Sequence, residues 1–441
     1  MHTREYEIEI GGKKMVAQFS DLADQANGSV ILKCEDTVVL ATAVMSKSGK
    51  GNPGFFNLTV DYLEKFYAAG LILGGQFNKR EGKPSDEAIL SSRIIDRTIR
   101  PLFDQHIKNA VQVIITVLSV GRADPGVLAI NAASLALGVS DIPWNGPVGA
   151  VHVGKLKGDA VLSYDTYVAH NGESGYDLDL TICGKEGKVV MIEALAFEEK
   201  ENDLGTAFDF ALTHITQLET WQKKIIAEIG KPKQSMLAPE TPDEIKTAFH
   251  EKVGASLKEK IFSPDGKKNI HELEDMWKEY LAEKYSEDES LRTIGEDYFE
   301  NEVDRVVHEG ATHENKRADG RAMDQVRELF AKAGGVSPVL HGSGIFYRGE
   351  THVLSALTLG GPADMYQLDG MEVRGAKRFM HHYNFPPYSA GETGRVGGLN
   401  RREMGHGMLA EKALVPVIPH KELFPYTIRV VSESMASNGS T

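Results

Sequence analysis

The chain has 441 residues, 41% hydrophobic and 25% charged, with 49 Lys and Arg against 63 Asp and Glu for a formal charge of −14; that length predicts two or three ordinary globular domains. No apolar run approaches the roughly 18 residues of a membrane helix, and the start Met1-His2-Thr3-Arg4-Glu5-Tyr6 has no apolar signal core, so neither a membrane span nor export is expected. Cys34 and Cys183 stand alone in strand-like stretches with no CxxC partner and read as buried, reduced thiols, as in a cytoplasmic protein.

Alternating strands open the chain at Tyr6 to Ile10, Lys14 to Phe19, Val30 to Lys33 and Thr37 to Met45, with another around Phe55 to Tyr62. Lys83-Pro84-Ser85-Asp86-Glu87 starts a helix through Ala88, Leu90, Ile94 and Ile95 that Arg100-Pro101 ends, because proline cannot continue it. The β-branched run Val111 to Val120 predicts a buried strand, and Asp124-Pro125 caps a helix of small residues from Val127 to Leu137. Strands follow at Val148 to Val153, Asp177 to Cys183 and Val189 to Ala194. This alternation of strands and helices fits an α+β fold with mixed sheets.

From Thr206 the apolar spacing becomes three and four, and Phe208 to Ile229 reads as one face of a long helix ended by Gly230 and Pro232. Helical spacing continues through residues 241–310, an acidic insert with no chemistry of its own in which positions 271–310 carry 14 acids against 4 Lys or Arg.

Beyond the insert the chain repeats its beginning. Gly28-Ser29-Val30-Ile31 through Thr37, Val39 and Leu40 matches Gly342-Ser343-Gly344-Ile345 through Thr351, Val353 and Leu354, at an offset of 314. Tyr67-Ala68-Ala69-Gly70 echoes Tyr388-Ser389-Ala390-Gly391, Lys79-Arg80-Glu81 echoes Arg401-Arg402-Glu403, and Val117-Leu118-Ser119 echoes Val430-Val431-Ser432. A unit this long is a duplicated domain, since stacked repeats run to roughly 20–50 residues.

Local charge departs from the acidic average. Residues 374–402 carry Arg374, Lys377, Arg378, Arg395, Arg401 and Arg402 against Glu392 alone, and residues 76–100 carry Lys79, Arg80, Lys83, Arg93, Arg97 and Arg100. Either cluster alone is equally a solvated face; both together suggest where a phosphate chain binds. If Arg401 to Gly407 is helical, Arg401, Arg402 and His406 converge on one oxyanion; read alone it is also a surface helix with a capping histidine. Ser437-Asn438-Gly439-Ser440-Thr441, after a strand, suits either a phosphate at a helix N-terminus or a plain turn. Gln76-Phe77-Asn78-Lys79-Arg80 places a ring beside cations, as a base-stacking site or an anchor phenylalanine. No HExxH, Cys/His cluster or nucleophile triad is present, and no metal ligand is assigned.

These motifs together resemble bacterial polynucleotide phosphorylase. The resemblance covers the whole chain and rests on Arg80-Glu81-Gly82-Lys83-Pro84-Ser85, Asp96-Arg97 with Ile99-Arg100-Pro101-Leu102-Phe103, Asp319-Gly320-Arg321 and Arg348-Gly349-Glu350-Thr351. His382-Tyr383-Asn384-Phe385-Pro386-Pro387-Tyr388-Ser389, Arg401-Arg402-Glu403 with Gly405-His406-Gly407, Phe424-Pro425-Tyr426-Thr427 and Ser437-Asn438-Gly439-Ser440 complete it. It implies two ribonuclease PH-like (ribosomal protein S5 domain 2-like) domains at 1–230 and 313–441, the second incomplete, joined by a small all-α domain at 231–312. It further implies a cytoplasmic, magnesium-dependent homotrimer within an RNA-degrading system. Such an enzyme would shorten single-stranded RNA from the 3′ end with inorganic phosphate, release nucleoside diphosphates, and run in reverse to polymerise them. By the family pattern Arg401, Arg402 and His406 would be catalytic and Ser440 and Thr441 would hold phosphate. Phe77, Lys79, Arg80, Arg93, Arg97 and Arg100 would contact RNA, the first three at the channel entrance.

The family usually has two aromatics before its channel cations, and here Asn78 takes the second place. Its catalytic acids, lysine and magnesium ligands would lie past Thr441, as would RNA-binding modules of KH and OB type. The corresponding strand of the first copy, Tyr176-Asp177-Leu178-Asp179-Leu180-Thr181, keeps an Asp but has Thr where the active copy of the family has lysine. The expectation is that these 441 residues alone do not catalyse, and that the second copy leaves apolar faces uncovered. The alternative function is a non-catalytic RNA-binding or ring-scaffold subunit.

Overall fold

The computed structural model describes residues 3–47, 56–74, 79–104, 106–156, 159–162, 177–236, 240–263, 265–398 and 400–437. The first copy runs β1 (Arg4–Ile10), β2 (Lys13–Phe19), β3 (Gly28–Cys34), β4 (Thr37–Met45), β5 (Leu58–Leu63), α1 (Asp86–Ile99), β6 (Val111–Ser119) and α2 (Pro125–Val139). Its strands form one sheet in the order β1-β2-β3-β4-β6-β5, antiparallel except for the β5–β6 pair. Alternation sets the buried face, with Val30, Leu32 and Cys34 on β3 and Val39, Ala41 and Ala43 on β4.

A second sheet follows from β7 (Gly149–Leu156), β8 (Asp159–Leu162), β9 (Leu178–Lys185) and β10 (Lys188–Ala196), ordered β10-β9-β7-β8. The small-residue helix α2 is buried along its length because it packs against β3 and β4 of the first sheet and β7 of the second. Its backbone rests directly on β3, where a Cβ on Gly28 would stand 2.1 Å from the Ala136 carbonyl oxygen. The helix α3 (Glu201–Ile229) lies on β7 and β9, which Gly149 and Gly184 thin to admit Ile215.

The acidic insert folds as α4 (Asp243–Phe249), a π-helical turn His250–Gly254, α5 (Ala255–Ile261), α6 (Gly266–Lys284) and α7 (Glu289–His313). These helices enclose their own core around Trp277, which Phe249 meets edge-on at 5.3 Å and whose indole N–H donates to Gly295 O at 2.8 Å.

The second copy contains β11 (Leu329–Ala333), β12 (Gly342–Arg348), β13 (Thr351–Gly360), the hairpin β14 (Tyr366–Asp369) and β15 (Arg374–Lys377), β16 (Phe379–Asn384), α8 (Arg401–Leu414) and β17 (Thr427–Ala436). Its sheet order β11-β12-β13-β17-β16 reproduces β2-β3-β4-β6-β5 with the same strand senses, including the one parallel pair. Even the irregularities repeat. A register shift falls between Val38 and Val39 of β4 and between His352 and Val353 of β13, positions that the sequence repeat pairs. The 3₁₀ turns Phe66–Ala69 and Pro387–Ala390 both end on a left-handed glycine, Gly70 (φ 69°) and Gly391 (φ 75°).

One expected equivalence is corrected. α8 matches α1, each with 14 residues, a polar N-cap (Ser85, Asn400) and a following 3₁₀ turn that contains a proline (Pro101, Pro416). Arg401-Arg402 therefore stand where α1 has Asp86-Glu87, while Lys79-Arg80-Glu81 lies in the loop ahead of α1. What the two glutamates share is a task. Glu81 Oε1 accepts from Phe66 N at 3.1 Å and Glu403 Oε1 from Phe385 N at 2.8 Å, so each ties down the chain that leaves the parallel strand. Among the described residues no helix covers the second sheet as α2 covers the first, and Leu329, Phe330, Phe346 and Tyr347 are exposed.

Candidate functional site

Helices α1 and α8, one from each copy, pack against each other and build a basic groove. α1 starts cleanly because Ser85 Oγ accepts from Ala88 N at 3.0 Å; Ala88, Ile95 and Ile99 face the core, and Arg93 and Arg97 share another face one turn apart. α8 starts with a capping box, in which Asn400 Oδ1 accepts from Glu403 N at 2.8 Å and Glu403 Oε2 from Asn400 N at 3.1 Å. Two glycines thin this helix. A Cβ on Gly405 would lie 2.3 Å from Arg93 Cδ, so the arginine lies across it, and Gly407 lets α8 settle on β16, where a Cβ would stand 3.3 Å from Tyr383 N.

Arg402 and His406 follow on the same face at i and i+4. The Arg402 guanidinium carbon lies 5.2 Å from the centre of the Phe385 ring, within cation–π reach, and the His406 ring lies 4.3 Å from that of Tyr383. Burial, then the like charges of Arg97 and Arg402, pull Arg93 below its ordinary value. Burial, then Arg93, His381 and Arg402, likewise lower His406, which is neutral at pH 7. Neither Arg93 nor Arg97 makes an ion pair among the described residues. Arg93, Arg97 and Arg402 lie close enough to act on one another, with Asp96 the acid that acts on Arg93, and clustered guanidiniums suit a phosphate oxygen.

The other predicted residues divide. Arg401 turns away from His406 and crosses to the first copy, where it donates to Asp61 Oδ1 at 2.6 Å and Val60 O at 3.3 Å. Arg100 is engaged within its own copy by both oxygens of Asp96 and by the carbonyls of Phe56 and Leu58. Lys79 and Arg80 are exposed ahead of α1, with Lys79 Nζ donating to Gly74 O at 3.4 Å. Phe77, Ser440 and Thr441 lie outside the described residues. Two cations of the basic run 374–402 are likewise engaged, since Lys377 pairs with Glu411 at 2.7 Å and Arg378 donates to Phe424 O, Tyr426 O and Pro419 O, while Arg374, Arg395, Arg401 and Arg402 are exposed. Tyr383, Phe385 and Gly405 belong to the groove but were not singled out as site residues; two aromatics on a strand end facing a helix with Gly-His-Gly were their signal.

The start of α2 in the first copy is acidic instead. The N-terminus of α2 is occupied by its own cap, with Asp124 Oδ1 accepting from Gly126 N at 2.6 Å and Val127 N at 3.3 Å. Asp179 is held by His152 Nε2, and Thr181 lies beside it on β9. No group of three or more His, Cys, Asp or Glu side chains among the described residues is placed to hold a metal ion, so the residues present do not fit magnesium.

The sequence pattern of the 3′ exoribonuclease family, domain 1, matches residues 11–143 and 325–441, one segment in each copy. The chain belongs to this family. Among its relatives in the exoribonuclease family, the polyribonucleotide nucleotidyltransferase of Heliobacterium modesticaldum is 43% identical over 99% of this chain and 61% of its own length. That of Syntrophomonas wolfei is 42% identical over 100% of this chain and 62% of its own. The chain thus spans about three-fifths of the length of these curated relatives. Rice Rrp46 aligns over 51% of this exoribonuclease-family chain and 94% of its own with 16% identity and a TM-score of 0.38, too low to add to the assignment. No helix among the described residues is long and apolar enough to cross a membrane.

Proposed function

We propose that this chain is the RNA- and phosphate-facing part of a polyribonucleotide nucleotidyltransferase. The reaction would be attack of inorganic phosphate on the terminal internucleotide phosphorus of single-stranded RNA. The new P–O bond gives a nucleoside diphosphate, the bond to the preceding 3′ oxygen breaks, and the shortened RNA keeps a 3′ hydroxyl. The observation that carries the reading is the groove in which Arg93, Arg97, Arg402 and neutral His406 meet beside the rings of Tyr383 and Phe385. Phosphoryl transfer needs positioning and charge stabilisation more than covalent chemistry, which clustered guanidiniums supply. Aromatic rings beside them would stack bases of any sequence.

On this reading Arg402 and His406 grip phosphate oxygens, His406 as a neutral hydrogen-bond donor, and Arg401 holds the groove's two walls together. Ser440 and Thr441 would hold the attacking phosphate. Phe77, Lys79 and Arg80 would line the mouth of a homotrimer's channel in a cytoplasmic RNA-degrading assembly. Magnesium dependence belongs to the same reading, with no described residue assigned to the ion.

The test is anisotropy of a fluorescent single-stranded oligoadenylate across a salt series. Affinity should fall with salt, and Arg93→Ala or Arg402→Ala should each flatten the log–log slope by about 0.7 per lost phosphate contact. A slope untouched by both substitutions removes the groove from the RNA path. The 441 residues alone are expected to release no nucleoside diphosphate from RNA and phosphate, and release above background would overturn that expectation.

A further inference from the structure

A cleft of about 190 Å³ lies between the copies, bounded by α1, the start of α2, β7 and β9 on one side and by α8 and the β14–β15 hairpin on the other. Leu90, Ile94, Val127, Ile130, Leu368 and Met408 make much of its wall apolar. Into it point three acceptors with little to accept. His152 is the clearest case: its side chain is 6% exposed and Nδ1 has no hydrogen-bond partner. Its other nitrogen, Nε2, meets the Asp179 carboxylate, which can only accept, so in the neutral ring the proton sits on Nε2 and Nδ1 presents a lone pair.

Asp124 Oδ2 stands 4.0 Å from Nδ1, too far for a direct hydrogen bond, while Oδ1 serves the α2 cap. The third acceptor is Glu372, held by the Tyr62 hydroxyl at 3.0 Å, whose carboxyl is pushed up to about 8 by burial and then by Asp124. The two lysines on the wall do not answer these acceptors, because Lys377 is paired with Glu411 and Lys412 with Glu193.

We propose that this cleft binds a primary ammonium group carried on a short alkyl chain, a small aliphatic amine or diamine. A primary ammonium brings three N–H donors, matched by His152 Nδ1, Asp124 Oδ2 and the Glu372 carboxylate, and its stem lies on the apolar wall. An inorganic divalent cation would find no set of three His, Cys, Asp or Glu ligands among the described residues. An anion is rejected, because Asp124 already fills the N-terminus of α2.

The fit also fixes a pH dependence. Burial lowers His152, but Asp179 and Asp124 outweigh burial and the opposing Lys412, leaving its value raised. Glu372 is protonated at neutral pH beside Asp124, Glu64 and Glu87. Both groups must lose their protons to solvent before they can accept from an ammonium, so affinity rises with pH until above about 8.

Thermal melting of the 441-residue chain with n-butylamine or putrescine, against n-butanol, tetramethylammonium and magnesium chloride, tests this. The two amines should raise the melting temperature saturably at pH 8.5 and weakly at pH 6, and the other three should not. Asp124→Asn keeps the helix cap through its amide oxygen and should weaken the amine response about tenfold or more. Glu372→Gln, which retains an acceptor for Tyr62, should weaken the response and flatten its pH dependence. A matching response to tetramethylammonium, a response to magnesium instead, or amine binding unchanged in both variants overturns the proposal.

Discussion

The first turns of α1 and α8 occupy the same place in the two copies and carry opposite charge. α1 begins with Asp86-Glu87, which complement the helix dipole, and α8 begins with Arg401-Arg402, which the dipole disfavours by about 0.3–1 kcal/mol each. α8 offsets this with its capping box and with the Arg401–Asp61 bridge to the other copy. The first copy did the reverse at α2, where a carboxylate fills the anion-favouring N-terminus. Duplication here preserved the order, sense and even the bulge of the strands, while charge diverged at helix ends. Cations gathered where they weaken their own helix, which marks that helix as selected for something besides stability.

The comparison breaks most sharply at the paired glycines of β3 and β12. Gly28→Ala drives a Cβ to 2.1 Å from the rigid Ala136 carbonyl and should cost about 3 kcal/mol in denaturant unfolding. Gly342→Ala meets the mobile end of Leu357 at 2.8 Å and should cost under about 1 kcal/mol. Equal costs would mean that the second sheet is covered as tightly as the first. Next in size is Gly405→Ala. Its obstacle is the flexible Arg93 side chain, so the helix should hold or gain up to about 1 kcal/mol. Displacing Arg93 should nevertheless weaken oligoadenylate binding about tenfold, the loss of one charge-assisted contact; unchanged affinity would detach Arg93 from the groove.

Local chemistry in the sequence foretold much of this fold. Asp124 caps the helix its position suggests, Pro101 stops α1, and the β-branched run from Val111 is a central strand. The repeat announced the shared sheet. The hairpin β14–β15 and the π-helical turn at His250–Gly254 carried no comparable signal, since short polar strands and an extra helical residue leave no periodicity. The groove was half legible. Arg93, Arg97, Arg402 and His406 were candidates by type, but the closeness of Arg93 to Gly405 is a tertiary fact across the insert. So is the engagement of Arg100 by Asp96 and the Phe56 and Leu58 carbonyls, which a count of basic residues cannot foresee.

Smaller effects sharpen the contrast between the two helices. Ser85→Ala and Asn400→Ala each remove one cap and should each cost about 1 kcal/mol. The second should cost more, because a cationic first turn relies on its cap where an acidic one does not. Equal losses by thermal unfolding would show that the charges of Arg401 and Arg402 are screened.

The smallest expected effect concerns the bridge itself. Arg401 is 53% exposed and Asp61 17%, so their pairing sits in water's reach and a double-mutant cycle of Arg401→Ala with Asp61→Ala should give about 0.5 kcal/mol of coupling. Salt should reduce it. Its value is in placement more than strength: with Arg401 held against β5, Arg402 and His406 face the groove together. The single Asp61→Ala variant should therefore leave folding nearly unchanged and still weaken oligoadenylate binding measurably, since Arg401, left with the Val60 carbonyl, holds the rotation of the α8 first turn less firmly. If Asp61→Ala alters neither quantity, the capping box alone orients α8, and the contact between the copies contributes nothing to how the groove is set.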